Sequence, residues 1–427
     1  NIMSEPLKNN TSNTSFGSWG WIIIIVGFLL MGVIFGTGIT LTGFIVAPAA
    51  EELGVSRGDI TMMYTLSGIA NIVSLTFVGK LFEKYNLRKV MSISLFITGL
   101  TYIGSQFVTS VSQLYVLGVI RGLISGTTSV IPVGIVTNNW FGPKVRGRAM
   151  GFVTLGTGTC AMILNPICAQ LVANHGWRSV HLLFGGLSFF MIPIIMLFYF
   201  TRPEEKGLTM IGAVENIQPS QLAFNGLTEK EAMHSPAFWI GLLAISFAGV
   251  VGVVWNFNNS SFLVGLGLQA TQVGLMLSSY SIAMMVGKVV LGILVDKKGL
   301  KFVMVLGIFS RVLAFICALL VPYNIAFVWG LIAFLGIGIA DSTLVNPLIV
   351  SEMFGYKEYG KIYSRFTQLS NLVNVFTPTL MTMLSDASGY TAMWLACIGF
   401  CALSLILIMI TFAKKPTEMK LEPVTEN

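Results

Sequence analysis

Gly292-Ile-Leu-Val-Asp-Lys-Lys-Gly-Leu-Lys301 is a short polar stretch between two long apolar runs, and it has an echo earlier in the chain. Moving back 213 positions gives Gly79-Lys-Leu-Phe-Glu-Lys-Tyr-Asn-Leu-Arg88, where Gly79, Glu83, Lys84 and Arg88 answer Gly292, Asp296, Lys297 and Lys301. The same interval pairs Gly54 with Gly267, Phe141-Gly142 with Phe354-Gly355, Gly147 with Gly360 and Gly176 with Gly389. Matches this widely spread at one interval indicate internal duplication.

Composition sets the class. The chain is 54% hydrophobic and only 10% charged, with a mean hydropathy of +0.80, which does not suit a water-facing surface. A helix crossing a hydrocarbon layer of ~30 Å needs about 20 mostly apolar residues. Runs of that length number twelve, six per half: about 19–46, 60–82, 88–108, 112–139, 146–173, 178–201, 236–264, 270–295, 301–321, 324–352, 361–385 and 390–413. Continuous greasy runs such as Trp21-Ile-Ile-Ile-Ile-Val26 lack the alternation of a β-barrel. The expected organisation is a disordered tail over 1–18, a six-helix bundle over 19–201, a cytoplasmic linker over 202–235, a second bundle over 236–413 and a cytoplasmic tail over 414–427.

Orientation follows from Lys and Arg, which stay on the cytoplasmic side in short loops. With the N-terminus inside, 20 of the 25 fall in cytoplasmic segments and only Arg57 and Arg178 outside. Both termini are then cytoplasmic in a multi-pass plasma-membrane protein, and the net charge of +7 reflects topology, with no nucleic-acid partner implied. The remaining three, Arg121, Lys288 and Arg311, lie within spans. The five cysteines sit in apolar runs and read as packing residues. His175 and His181 straddle an outer loop end and His234 lies in the linker, so all three read as solvated. Neither a nucleophile-base pair, a phosphate loop nor a metal cluster emerges, so the sequence gives an enzyme or a cofactor nothing to rest on.

The opening stretch resembles the loop motif of the major facilitator superfamily, Gly-x-Leu-x-Asp-Lys/Arg-x-Gly-x-Lys/Arg, complete in the second half and with Glu83 and Asn86 substituted in the first. Gly there permits two helices to approach closely, and the acid can face the positive end of another helix or nearby cations, as a latch. Phe16-Gly-Ser-Trp-Gly-Trp21 is similar to the signature opening the first helix of monocarboxylate transporters, and on physical grounds its tryptophans are interfacial anchors. Trp140-Phe-Gly-Pro-Lys144 with Arg146 and Gly147, and Met353-Phe-Gly-Tyr-Lys357 with Gly360 and Tyr363, resemble loops of the monocarboxylate and oxalate:formate antiporter branch. The resemblance implies an all-α membrane protein of twelve transmembrane helices, as two six-helix bundles related by a pseudo-two-fold axis, moving substrate by alternating access.

Each charge inside the membrane needs an account. Lys288, about 12 Å from the cytoplasmic end of its span, either snorkels outward or pairs with an anionic substrate, and it stands where the resembled family places its substrate-binding arginine. Arg121, about 12 Å into the fourth span from outside, is either a structural arginine or a substrate or proton-coupling residue. Arg311 and Asp341 both lie near the midplane; a neutralising pair is the preferred reading of Arg311, while Asp341 is equally a protonatable coupling site. Trp255-Asn-Phe-Asn-Asn-Ser-Ser261 either frays at the outer interface or lines the cavity mouth, with Trp255, Asn256 and Asn259 offering donors. Asn165-Pro166 in the fifth span, and Asn371, Asn374 and Thr377-Pro378 in the eleventh, mark helices that can bend or line a cavity.

The expected function is a secondary transporter for a small organic anion, a monocarboxylate above others, embedded in the bilayer and coupled to a co- or counter-transported ion or anion. Export of amphipathic drug-like compounds is the alternative, followed by a non-transporting sensor on the same fold. Animal members of the resembled family carry a lysine in the first span and an Asp four residues before the cation of the eighth. Here Thr37 to Thr42 has no charge and Met284 holds the second place, so the resemblance does not extend to that proton route.

Overall fold

The computed structural model describes residues 17–142, 145–212, 226–340, 342–355 and 357–414. Among them the regular structure is helical, apart from two isolated bridges. The helices are α1 (Gly17–Phe35), α2 (Gly43–Leu53), α3 (Arg57–Lys84), α4 (Leu87–Gly104), α5 (Val111–Ser125), α6 (Val130–Trp140), α7 (Arg146–His175) and α8 (Trp177–Phe198). They continue with α9 (Glu229–His234), α10 (Pro236–Gly265), α11 (Ala270–Lys298), α12 (Leu300–Leu320), α13 (Phe327–Ala340), α14 (Ser342–Phe354), α15 (Tyr359–Asn374) and α16 (Thr377–Ala413). The described residues fall into two compact units, one within Asn1–Pro219 and Leu263–Gly274, the other within Ser220–Phe262 and Leu275–Asn427.

The expected spans map onto these helices with informative breaks. The first span is α1 and α2 joined by a π-helical turn, Gly36–Thr40, and the fourth is α5 and α6 joined by a 3₁₀ turn, Gly126–Thr128. The last two spans meet inside α16, where Gly389 breaks the helix with φ 79°. At Asn165-Pro166 α7 runs on unbroken, whereas Pro378 opens α16 in its first turn, where the missing N–H has no helical partner to lose. The linker's Thr228-Glu-Lys-Glu231 is a capping box that starts α9, with Glu231 N–H donating to Thr228 Oγ1 at 3.3 Å.

The duplication is visible in backbone geometry. Gly54 and Gly267 have φ of 65° and 80°, and Gly176 and Gly389 have 75° and 79°. The Phe-Gly pairs bridge to the linker ends: Phe141 to Ile211 in one unit and Gly355 to Gly226 in the other. Helix crossings repeat as well. A Cβ placed on Gly122 of α5 would strike the Ser67 carbonyl oxygen and Ala70 of α3; one on Gly336 of α13 would come within 3.0 Å of the Tyr280 oxygen and 2.6 Å of Ala283 Cβ of α11. Ser67 and Tyr280, like Ala70 and Ala283, are 213 positions apart, whereas the two glycines are 214 apart, so one extra residue separates them in the second half.

These crossings, and not the motif glycines, carry the close approaches. The expectation of helices meeting at Gly79 and Gly292 is not met, because a Cβ at either would find no atom within 4 Å. The reason is position: both lie toward helix ends, away from the α3–α5 and α11–α13 crossings. We expect Gly122→Ala and Gly336→Ala to lower the unfolding temperature in detergent, since forcing a methyl into a packed crossing costs ~1–3 kcal/mol. Gly292→Ala should leave it unchanged or raise it slightly, because alanine is favoured over glycine in a helix by ~0.5–1 kcal/mol.

Candidate functional site

In the first unit the candidate site centres on Arg121 of α5. Gly118 and Gly122 flank it, and their missing side chains bring α5 onto α3 so closely that a Cβ at 118 would lie 2.6 Å from Met63 Cγ. Arg121 is consequently buried, 9% exposed. Its Nη2 donates to Met63 Sδ at 3.0 Å and its Nε to the Leu117 carbonyl at 3.4 Å. The guanidinium lies 4.6 Å over the Tyr102 ring, a cation–π contact strengthened by desolvation. Tyr102 in turn donates its hydroxyl to the Thr37 carbonyl at 3.0 Å. That carbonyl belongs to the π-helical turn, a local irregularity often found at functional sites.

Behind Tyr102 lies a residue whose sequence reading needs correction. His181 is not solvated: it is fully buried, with ring centroids 5.5 Å from Tyr102 and 5.3 Å from Trp177. Neither ring nitrogen finds a hydrogen-bond partner among the described residues. The burial comes from three-dimensional neighbours, since Gly176 starts α8 so that His181 faces α4 instead of the loop. His175 and His234 are exposed. Trp177 donates to Glu52 at 2.7 Å, and Arg178 pairs with the same carboxylate and donates to the Val108 carbonyl at 2.6 Å.

In the second unit, Lys288 is half-buried on α11 beside Gly287, where a Cβ would lie 2.8 Å from Ala340 Cβ of α13. Arg311 of α12 is 2% exposed and borders a cavity of about 200 Å³, whose polar wall also includes Asn346, Ser370, Asn371 and Asn374. Lys288 does not line that cavity. Asp341 lies outside the described residues. The polar stretch of α10 does not fray: Trp255, Asn258 and Asn259 are buried and the helix continues to Gly265. Asn258 Nδ2 donates to the Val254 carbonyl at 3.0 Å and Asn259 Oδ1 accepts from Ser260 N–H at 2.6 Å. Trp255 packs against Tyr280 at 5.7 Å, while Asn256 is partly exposed.

The two loop motifs differ. Arg88 pairs with Glu205 at 2.7 Å and lies 4.4 Å over the Phe200 ring, and Asn86 caps α4 by accepting from Arg88 N–H at 3.0 Å. In the second copy Gly299 holds the corresponding place with a left-handed φ of 84°, where Asn86 has −63°. Asp296, Lys297 and Lys301 are exposed, as is Glu83.

A sequence model described as Major Facilitator Superfamily matches residues 26–267 and 242–427. The chain belongs to that superfamily. It is a multi-pass membrane transporter and not an enzyme. Among curated superfamily relatives, the oxalate:formate antiporter of Oxalobacter formigenes is 26% identical over 432 residues, covering 98% of this chain and 99% of that one. Monocarboxylate transporter 14 of Mus musculus is 29% identical over 174 residues, 40% of this chain and 33% of that one. A probable L-galactonate transporter of Escherichia coli is 27% identical over 162 residues, 38% of this chain and 35% of that one. The fold matches a crystal structure of a bacterial homologue of the human lysosomal transporter Spinster, with a TM-score of 0.74 at 13% identity over 94% of this chain and 98% of that one. It also matches a D-xylose-proton symporter, with a TM-score of 0.73 at 13% identity over 94% and 99% of the two chains.

Within this superfamily member, Arg121 and Tyr102 come together in one unit, and Trp255 and Arg311 sit in the other. Sequence reasoning missed Tyr102, Asn346 and the pairing of Glu205, and misplaced His181, whereas Asn371 and Asn374 were read as marking a helix able to line a cavity. Only Glu205, in a short charged run, carried a signal a one-dimensional reading could use.

Two outcomes follow from the first unit. Tyr102→Phe should keep the ring under Arg121 but lose the bond to Thr37, costing ~1 kcal/mol; Tyr102→Leu should cost more in thermal unfolding because the cation–π contact goes too. The Glu52 carboxyl is held below the ordinary carboxylate range, first by the hydrogen bond from Arg178, with burial opposing and Trp177 adding to it. Such a depressed group stabilises the fold above its ordinary titration range and loses that contribution as pH falls through its folded value. Tryptophan emission should therefore shift as pH falls below the ordinary glutamate range, and Glu52→Gln should flatten that shift.

Proposed function

We propose that this transporter carries a small organic anion, a mono- or dicarboxylate, across the plasma membrane by alternating access, with both termini cytoplasmic. One observation carries the reading: Arg121 is buried in the membrane part, yet its contacts among the described residues are a thioether, a carbonyl and an aromatic face, with no carboxylate. A guanidinium has five donors, and two are used here. Carboxylate is the matching ligand for the rest, since the planar fork binds it in bidentate fashion. Lys288 supplies a second cation. Support comes from similarity to the oxalate:formate antiporter over nearly the full length of both chains, and from the cytoplasmic excess of Lys and Arg read in the sequence.

Asp341 is proposed as the coupling carboxylate and the Gly292–Lys301 motif as a cytoplasmic latch, with Glu83 in the weaker copy. Uptake of labelled formate, oxalate and lactate into proteoliposomes tests the whole. We expect saturable flux of at least one of them, reduced by tenfold or more in Arg121→Lys, which keeps the charge but loses the planar fork. Lys288→Ala should abolish flux; full flux in that variant removes Lys288 from the site, and absence of flux for every anion refutes the substrate class. Asp296→Asn should slow transport more than Glu83→Gln, and equal rates would count against the latch assignment.

A further inference from the structure

The linker grips the second unit as it enters it. Leu227 N–H donates to the Phe354 carbonyl at 2.8 Å and Gly226 bridges to Gly355, which ties the chain to the turn before α15. Thr228 then caps α9, and Glu229, the first residue of that helix, makes two contacts at the start of α15. Its N–H donates to Glu358 Oε2 at 2.7 Å, and its Oε1 accepts from Arg365 Nε at 3.1 Å. Lys361 pairs with Glu358 at 2.7 Å and so holds that carboxylate in place. At its other end α9 passes through Ser235 into α10, where Trp239 Nε1 donates back to the Met233 carbonyl at 2.8 Å.

This short helix therefore joins the ends of α10 and α15, and both border the cavity, α10 through Ile245 and Gly249, α15 through Ser370, Asn371 and Asn374. Beside the cavity the two helices meet through small or polar groups. Ser246 Oγ lies 3.0 Å from Ser370 Oγ, and a Cβ on Gly249 would lie 3.3 Å from Asn374 Nδ2. Near α9 two kinds of contact hold them. Phe238 of α10 packs on Phe354 and Phe366 with centroids 5.9 and 5.5 Å apart, and all three rings are buried. The ion pairs lie farther out: the Arg365 and Glu229 side chains are 49% and 28% exposed, and those of Lys361 and Glu358 66% and 28%. Salt does not screen the buried rings, but it screens exposed pairs, since the Debye length shrinks from ~10 Å at 0.1 M to ~3 Å at 1 M.

We propose that α9 is a salt-sensitive strap across the ends of α10 and α15. At low ionic strength the Glu229–Arg365 pair, supported by Glu358 and Lys361, holds the first turns of α15 against the linker. At high ionic strength it lets them go, and the packed rings of Phe238, Phe354 and Phe366 remain as the pivot. Ionic strength in this way regulates the access of water to the α15 wall of the cavity. The strap does not depend on which solute the transporter carries.

Two measurements on the full chain in lipid nanodiscs test the strap. The first needs no variant. Hydrogen exchange at the amides of 359–368 should quicken about threefold or more between about 0.1 M and about 1 M KCl, while exchange in α12 stays constant. The second is the reaction of Asn371→Cys with a neutral, membrane-impermeant maleimide, read above the background of the native cysteines. Its rate should rise about threefold or more over the same salt range. Added Glu229→Gln should make the rate high at both salt concentrations, and the reversed pair Glu229→Arg with Arg365→Glu should restore the dependence on salt. Exchange in α15 that ignores salt would overturn the strap. Exchange that responds while labelling does not would overturn the regulation of access. A salt response that persists in Glu229→Gln, or that the reversed pair fails to restore, would overturn the assignment to Glu229 and Arg365.

Discussion

A charged side chain in hydrocarbon must be held by the protein around it, because the lipid offers neither a hydrogen bond nor a counter-charge. All three cations within the spans stand beside a glycine at a tight helix crossing. Gly122 follows Arg121 and lies against the Ser67 carbonyl; Gly287 precedes Lys288 and lies against Ala340. Gly338 receives Arg311 itself, for a Cβ there would come within 2.8 Å of Arg311 Cγ. The small residue brings the neighbouring backbone near enough to wall in the charged stem. Packing and charge are therefore one device, and a larger side chain at any of these glycines would displace a cation as well as a helix.

The duplicated framework and the chemistry laid on it have separate histories in this chain. The left-handed glycines, the crossings and the aromatic contacts recur: Tyr102 with His181 in one unit is matched by Phe315 with Trp394 in the other, at 5.5 and 5.4 Å. The cations do not recur. The residues 213 positions away from Arg121, Lys288 and Arg311 are Phe334, Leu75 and Thr98. His181 is likewise answered by a tryptophan. A repeated scaffold with unrepeated charges gives each unit its own polar site, with Arg121 and Tyr102 in one and the Arg311 cavity in the other.

Much of the scaffold was legible because hydropathy and glycine position are one-dimensional properties. Span lengths, the repeat interval and the turn at Gly176 all follow from the order of residues alone. The site was legible only as a set of costly charges, since what holds a charge comes from other helices: Met63 and Tyr102 approach Arg121 from α3 and α4, and nothing in their own neighbourhoods marks them. His181 misled because a polar residue near a loop is ordinarily solvated, and its burial depends on Tyr102, Trp177 and Phe184 closing around it. The Gly122–Gly336 correspondence escaped the fixed interval by one residue. Arg88 and Glu205 are 117 positions apart, so their pairing has no local signature.

The breaks in the first and fourth spans show how irregular backbone is tolerated at such depth. Carbonyls released from the helical ladder need donors, and threonine and serine hydroxyls supply them. Thr37 donates to the Val33 carbonyl at 2.8 Å, Thr40 to Phe35 at 3.2 Å and Thr42 to Ile39 at 2.6 Å. At the second break Thr127 donates to Ile124 at 2.6 Å and Ser129 to Gly126 at 2.8 Å. The uncharged Thr37–Thr42 stretch thus ties its hydroxyls back onto the backbone of the π turn and its flanks. One carbonyl of that turn, on Thr37, is served from elsewhere, by the Tyr102 hydroxyl whose ring lies under Arg121. Arg121 is in this way connected to the backbone of the first span through a single side chain.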